Sequence, residues 1–376
     1  MRFAAVLAVL ALVWKAAPAL AVAILTGPIV QGPAPGTIVV AWETDTPAEG
    51  RVLYGMAGAL DRSVDAGAPS TRHEVTLPDL PPGEVVSYRV CAGTAHSRVH
   101  EFTVPPAPGG SLAFVVFGDT RSIHAGHRAV VGAMLRHTGH ILINTGDMVE
   151  VGGRVEAWDD FFAIERPLLA STVSYHAMGN HDLAGGGIDV LARFLVQPLS
   201  PHAPERDFFV DAGGVRFVFL DNSITAHKGK EQKAWLESVL DEGRALPHVR
   251  HLIVVVHHGI NSNGPHGPSK GLIDAGLDDA MRARGVALVL SGHDHSYERG
   301  IVDGLRYIIS AGGGAPLYKK FVDRGGMIVR HVVHHFIRFE VAGDEVKFDV
   351  FLKDGSILES CALAPAPQGY SCPSTP

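Results

Sequence analysis

Seven apolar runs punctuate the chain between residues 112 and 314: "LAFVVFGDT", "HILINTGDM", "STVSYHAMGNHD", "VRFVFLDN", "HLIVVVHHG", "VALVLSGHDH" and "LRYIISAGGG". Each has the length of a buried strand, and six of the seven end in Asp, Asn or His. Helix-like stretches such as "AGHRAVVGAMLRH", "RVEAWDDFFAIERPLL" and "KEQKAWLESVLDEGRA" stand between several of them. Strands alternating with helices predict a layered α/β domain. Near-continuous apolar strands predict sheets covered on both faces. Ligands in such domains gather at the carboxyl ends of strands. The polar terminators can therefore converge although they lie far apart in sequence. They are Asp119, Asp147, Asn180 with His181 and Asp182, Asp221 with Asn222, His257 with His258, and His293 with His295.

Upstream the rhythm differs. Residues 22–107 read as all-β: "TIVVAWET", "GRVLYG", "HEVTLPDL", "VVSYRVCAG" and "SRVHEFTVP" are short runs rich in β-branched and aromatic residues, set off by turn residues. That is the pattern of an immunoglobulin-like or fibronectin-type sandwich, with Trp42 and Tyr88 expected in its core. "PPAPGG", residues 105–110, is the linker candidate. A chain of 376 residues exceeds the usual single-domain size. The expectation is a sandwich over 22–107, an α/β domain over 108–360 and a Pro-rich tail over 361–376.

Residues 1–21 read as a secretion signal: Arg2, the apolar "FAAVLAVLALVW", then Ala19-Leu20-Ala21 as a small-x-small cleavage site. The apolar core is short for a membrane span. The expected location is secreted or periplasmic, with no membrane span once the signal is removed. Export permits disulfides. Cys361 and Cys372 bracket the tail and either close a short loop or, with Cys91, stay free thiols; Cys91 on a strand reads as a small apolar residue. The net charge of −7 gives no basic footprint for nucleic acid. An anionic substrate must then be attracted by something other than overall charge.

On an extended segment residues i and i+2 point the same way, so His293 and His295 are expected to face one cavity with Asp294 turned away. Their Cα spacing of about 6.5–7 Å suits two metals about 3.5–4 Å apart, one histidine to each. The series "GDT", "GDMVE", "GNHD", "VVVHH" and "GHDH", in this order, resembles the calcineurin-like metallophosphoesterases. With the preceding sandwich, "EQKAWLESVL", "SYERG" and "YIISAGGGAPLY", it is similar to the purple acid phosphatase branch in particular. The resemblance implies a four-layer αββα domain and a dinuclear centre of iron, zinc or manganese that hydrolyses phosphate esters. It implies Asp119 and His295 on the first metal, Asp147 bridging, and Asn180, His257 and His293 on the second. Hard oxygen donors with neutral imidazoles suit those metals. Two metals also supply the positive charge that a net-acidic chain lacks.

Two positions depart from the family pattern. Arg121 in "DTR" stands where many relatives carry a histidine; it either grips a substrate phosphate or closes a structural ion pair. Glu150 ends "GDMVE" where the purple branch has the tyrosine of "GDxxY", which leaves Glu150 as a possible further ligand. In the sandwich, Val86 stands where related domains often carry a corner tyrosine. The mechanism implied is transfer of a phosphoryl group to water, with His181 as proton donor to the leaving group. Asp182 either orients His181 or caps the next turn. His258 is a substrate contact or loop filler, and His266 sits on a Gly/Pro-rich loop able to cover the site. Asp221 and Asn222 are expected behind the site, and His331, His334 and His335 away from the ligand set. The substrate is a small phosphate monoester. The competing readings are a phosphodiesterase or nucleotide hydrolase on the same metals and a non-catalytic adhesion module. No protein partner is legible.

Overall fold

The computed structural model describes residues 21–34, 36–200, 203–365 and 369–373. The secretion-signal reading falls on residues outside these, apart from Ala21. Two large sheets carry the α/β part. The first runs, in spatial order, Tyr370–Ser371, Ile357–Leu363, Glu345–Leu352, His335–Ala342, Leu112–Phe117, Ile141–Asn144, Val173–His176, Ile24–Ala34, Thr37–Ala48 and Ser70–Leu77. The second runs Phe208–Ala212, Val215–Leu220, His251–Val256, Leu288–Ser291, Leu305–Ser310, Tyr297–Val302 and Met327–His331.

Alternation along the strands builds the layers. Phe114, Val116, Ile141 and Ile143 of the first sheet pack against Phe217, Phe219, Ile253, Val255, Leu288 and Leu290 of the second. Phe114 meets Phe217 edge-on at 4.9 Å between ring centroids. The intervening residues face outward. Val115, Phe117 and Leu142 meet the helices His124–Met134 and Val155–Leu169 through Val130, Met134, Trp158 and Phe162. Val218, Leu220, Val254 and Val256 meet the helices Thr225–Ala245 and Leu277–Ala283 through Leu236, Leu240 and Met281. Both faces of the central strands are covered, so these runs are apolar at nearly every position. The result is the αββα sandwich that the resemblance implies.

The central strands Leu112–Phe117, Ile141–Asn144 and Val173–His176 are mutually parallel, as are Val215–Leu220, His251–Val256, Leu288–Ser291 and Leu305–Ser310. Parallel pairing sends the carboxyl ends within each sheet to one edge, where the polar terminators lie.

A third sheet holds Arg62–Asp65, Gly50–Met56, Val85–Ala92 and Ala95–His96, with His100–Thr103 also on Val85–Ala92. Val52, Tyr54, Val86, Val90 and Phe102 share a core with Trp42, Val40 and Val75 of the first sheet. Tyr88 is fully buried and its hydroxyl donates to the Ala170 carbonyl at 2.8 Å. The strand Ile24–Ala34 also pairs parallel with Val173–His176, Gln31 opposite Ser174. The N-terminal strands thus extend the sheet that bears the site. Cys361 and Cys372 form a disulfide, and Cys91 is free. No helix among the described residues is long and apolar enough to cross a membrane.

Candidate metal centre

Three of the terminators leave their strands through a tight turn. Asp119, Asp147 and His293 have φ of +56°, +57° and +72°. Non-glycine residues avoid this region, at a cost of about 1–3 kcal/mol each, and such strain gathers at functional sites. Glycines beside them make the close approaches possible. A Cβ on Gly292 would lie 2.5 Å from Asp119 Oδ2, and one on Gly179 would lie 2.1 Å from the Asp147 nitrogen. In the space Gly292 leaves, the His293 N–H donates to both Asp119 carboxylate oxygens at 3.1 Å.

The His293–His295 segment is therefore not the extended strand that the i, i+2 argument assumed. The strand ends at Ser291, and residues 293–296 bend. The left-handed backbone at His293 replaces strand alternation in aiming the rings. The two histidines still serve separate clusters. Asp147, His257 and His293 form one, and Asp119, Asp147 and His295 the other, with ligand atoms in each within 4.8 Å of one another. Asp147 is common to both. Asn180 joins the first cluster through Oδ1, 3.2 Å from His257 Nε2.

Backbone carbonyls fix the ring tautomers. His257 Nδ1 lies 2.8 Å from the Thr145 carbonyl, and His295 Nδ1 lies 2.7 Å from that of Pro316. A carbonyl only accepts, so each Nδ1 carries the proton and each neutral ring turns a bare Nε2 to the cluster. His257 Nε2 then meets Asp147 Oδ1 at 3.3 Å, Asn180 Oδ1 at 3.2 Å and His293 Nδ1 at 3.2 Å. His295 Nε2 is buried without a hydrogen-bond partner, 3.3 Å from Asp119 Oδ1. Acceptors converging this closely draw a positive charge among them. At His257 burial would lower the pKa, but Asp147 and then Asp119 outweigh it and push it up to about 10, so without a metal a proton takes that place on Nε2, and a bound cation would displace it. Burial, then His257, His258 and His266, hold His293 neutral, down to about 2. Hard oxygens and neutral imidazoles in two sets sharing one carboxylate fit a pair of transition-metal ions.

His181 is the second residue of the short helix Asn180–Leu183. Its N–H donates to Asp147 Oδ1 at 2.9 Å, its Nδ1 donates to the Glu150 carbonyl at 2.7 Å, and its Nε2 is 4.0 Å from Asp147 Oδ2. Asp182 neither orients the His181 ring nor serves only as a local cap. Its carboxylate accepts from the N–H groups of Asp147, Met148, Val149 and Gly179, so it braces the turn that presents Asp147. Burial, then the nearby Asp147, pushes its pKa up to about 7.

Arg121 is largely buried. Its Nε donates to Asp147 Oδ2 at 3.3 Å and its Nη1 to Glu150 Oε2 at 3.0 Å. Glu150 also accepts from Ser122, is half-exposed, and lies outside both donor clusters. His258 places its ring 4.2 Å from that of His293, with Nε2 3.1 Å from the Gly267 carbonyl. His266 sets its ring 4.5 Å from His293. Asn222 bonds the His258 carbonyl and Ser269 from behind, and Asp221 pairs with Arg206. His335 is buried beside Ser310, and His331 stacks on Tyr297. One residue near the donors was not among the expected site residues, although it closes the block YIISAGGGAPLY. Tyr318 stacks on His295 at 4.0 Å and 14°, with Arg121 among the charges acting on its phenol. It sits in residues 311–326, which form neither helix nor strand, so no periodicity marked it.

A family model described as calcineurin-like phosphoesterase matches residues 112–297. Purple acid phosphatase 7 of Arabidopsis thaliana is 25% identical over 279 residues, 62% of this chain and 84% of that protein. Acid phosphatase type 7 of Mus musculus is 27% identical over 308 residues, 70% of this chain and 68% of that protein. Among solved structures, a purple acid phosphatase from yellow lupin (Lupinus luteus) seeds has the same fold. Its TM-score is 0.75 at 19% identity, covering 93% of this chain and 77% of that one.

Proposed function

We propose a specific chemistry for this chain, which belongs to the calcineurin-like metallophosphoesterases and within them to the purple acid phosphatase-like branch. It is a metal-dependent phosphoric ester hydrolase, and our reading is that it acts outside the cytoplasm on small phosphate monoesters. The observation that carries the reading is the convergence of donor atoms from five residues around the shared Asp147 carboxylate. In this reading Asp119, Asp147 and His295 hold one metal, and Asp147, Asn180, His257 and His293 hold the other. The ions are iron, zinc or manganese. Bound there, the metals would polarise the phosphoryl group and acidify a coordinated water.

The chain's own residues do the rest. Thr145 and Pro316 hold the rings in the tautomer that presents Nε2. His181 keeps its Nδ1–H on the Glu150 carbonyl, so that the doubly protonated ring turns an Nε2–H outward to give its proton to the departing alkoxide. Arg121 offers its guanidinium beside Asp147 for a phosphoryl oxygen, anchored by Glu150. Export is supported by the signal-like residues 1–21 and by the Cys361–Cys372 disulfide. The division into residues 22–107 and 108–360 also belongs to this reading, with residues 104–111, which form no strand or helix, between them.

Elemental analysis of purified protein with kinetics on p-nitrophenyl phosphate and its bis-ester tests the proposal. Two metals per chain, monoester turnover and loss of both on chelation are expected. A higher kcat/KM on the bis-ester would replace monoesterase by diesterase, and metal-free or inert protein would sink the reading.

A further inference from the structure

Asp294 lies between two donor histidines, is buried, and takes no part in either donor cluster. Its carboxylate is given over to the loop 259–269. Oδ2 accepts from the Ser262 hydroxyl and, at 3.2 Å, from the Gly267 N–H; Oδ1 accepts from the His266 N–H at 3.2 Å. The loop rests directly on the carboxylate at Gly264, where an added Cβ would lie 2.5 Å from Asp294 Cγ. Ser262 ties the contact together by accepting from the Gly264 N–H at 2.9 Å.

The same loop is gripped from its flanks. Glu298 accepts from the Asn263 backbone at 3.1 Å and from its amide at 3.0 Å. Arg324 Nη1 donates to the carbonyls of Ser262 at 3.0 Å and Gly264 at 2.8 Å. Residues 260–264 are buried in consequence, while His266 is exposed at the tip with its ring beside those of His293 and Tyr318. Of the carboxylates holding this loop, Asp294 alone bonds the His266 backbone and also stands between the donors. The loop is thus a fixed wall, pinned at the residue that carries the imidazole.

We infer that Asp294 is a positioning residue: by holding the backbone of Ser262, His266 and Gly267 it sets where the His266 imidazole stands against the donor cluster, and through it how tightly the phosphate ester is held. Charge is not what the role needs. An asparagine still accepts from the His266 N–H through Oδ1 and keeps a link to Ser262 by donating to its Oγ through Nδ2, at the cost of the Gly267 bond and of the acceptor for the Ser262 hydroxyl proton. The inference rests on the phosphoesterase reading, but its test uses differences between variants. A wild-type protein without phosphatase activity would count against that reading alone.

The test is a double-mutant cycle on kcat/KM for p-nitrophenyl phosphate, with Asp294→Ala, His266→Ala and the pair, accompanied by metal content and the inhibition constant for inorganic phosphate. Asp294→Ala is expected to keep both metals and to raise KM and the phosphate inhibition constant about tenfold, with kcat changing less. In the His266→Ala background it should cost nothing further. Asp294→Asn should stay within about threefold of wild type. Ser262→Ala, which loosens the same link without touching the metal motif, should reproduce part of the KM increase. Independent costs in the cycle, metal loss in Asp294→Ala, or an Asn variant as damaged as the Ala variant would each overturn the inference.

Discussion

Replacing His181 by alanine tests the proton-donor role proposed for its ring, because its bond to the donor residue Asp147 runs through the backbone N–H and not through the ring. The backbone N–H of His181 bonds Asp147 Oδ1 at 2.9 Å and survives the substitution. The ring does not: its Nδ1 bond to the Glu150 carbonyl is lost, and so is Nε2, the ring nitrogen left free to exchange a proton. The side chain is 28% exposed, so water fills its place. The structural cost is that of one partly solvated hydrogen bond, about 0.5–1.5 kcal/mol. The catalytic cost of losing a general acid is about 10²- to 10⁴-fold. At 1.36 kcal/mol per tenfold, that is about 2.7–5.4 kcal/mol of transition-state stabilisation. The two ranges do not overlap, so a melting curve and a rate suffice to tell them apart. kcat should fall most on alkyl phosphates, whose alkoxides need a proton, and least on p-nitrophenyl phosphate. Metal content should stay at the wild-type value. Equal losses on both esters, or loss of metal, would refute the assignment.

Three further outcomes follow from the same geometry. Glu150 bonds Arg121 and Ser122 and stands clear of the donor clusters, so Glu150→Gln should retain both metals by elemental analysis while raising KM a few-fold through a looser Arg121. Iron-loaded protein should lack a tyrosinate band in its visible spectrum, because the GDMVE block supplies Glu150 instead of a phenol. A band abolished by Tyr318→Phe would reverse this and make Tyr318 a ligand. Acid should destabilise the fold through His176, whose two ring nitrogens are buried without partners and whose pKa burial lowers to about 3. The folded ring resists a proton that the unfolded chain takes up near 6.5, so stability falls as pH drops from about 6.5 to about 3, by a few kcal/mol. His176→Phe should flatten this acid limb in thermal melts between pH 7 and pH 4.

What the sequence made legible was local or repeated. The strands from Leu112 to Ser310 stand out because the central ones are covered on both faces, which makes the runs apolar at nearly every position. The donor residues stand out because each closes such a run. What stayed hidden depends on contacts between distant segments. Nothing local in "ILTGPIVQGPA" marks it as a neighbour of Val173–His176, since a parallel pairing leaves no turn between the strands. Tyr318 stayed hidden because its segment has no period, and Asp182 because a carboxylate that binds four backbone N–H groups looks in sequence like any helix-start aspartate.

The hidden contacts explain how the legible ones hold their geometry. Donors at Asp119, Asp147 and His293 must turn sharply off their strands, and a glycine there would relieve the backbone but supply no donor atom. The compensation comes from carboxylate–amide hydrogen bonds, among the stronger kinds available inside a protein. Asp182 holds the N–H groups across the Asp147 turn, Asp119 holds the N–H of His293, and Asp294 holds the loop that lies over His293. Three aspartates that would read as candidate ligands thus do two kinds of work. Asp119 has its carboxylate among the donors, whereas Asp182 and Asp294 spend theirs on backbone amides. A motif search counts all of them alike. Only the direction of each carboxylate separates a ligand from a residue that keeps a strained turn in place, and that direction is set by where the neighbouring N–H groups point.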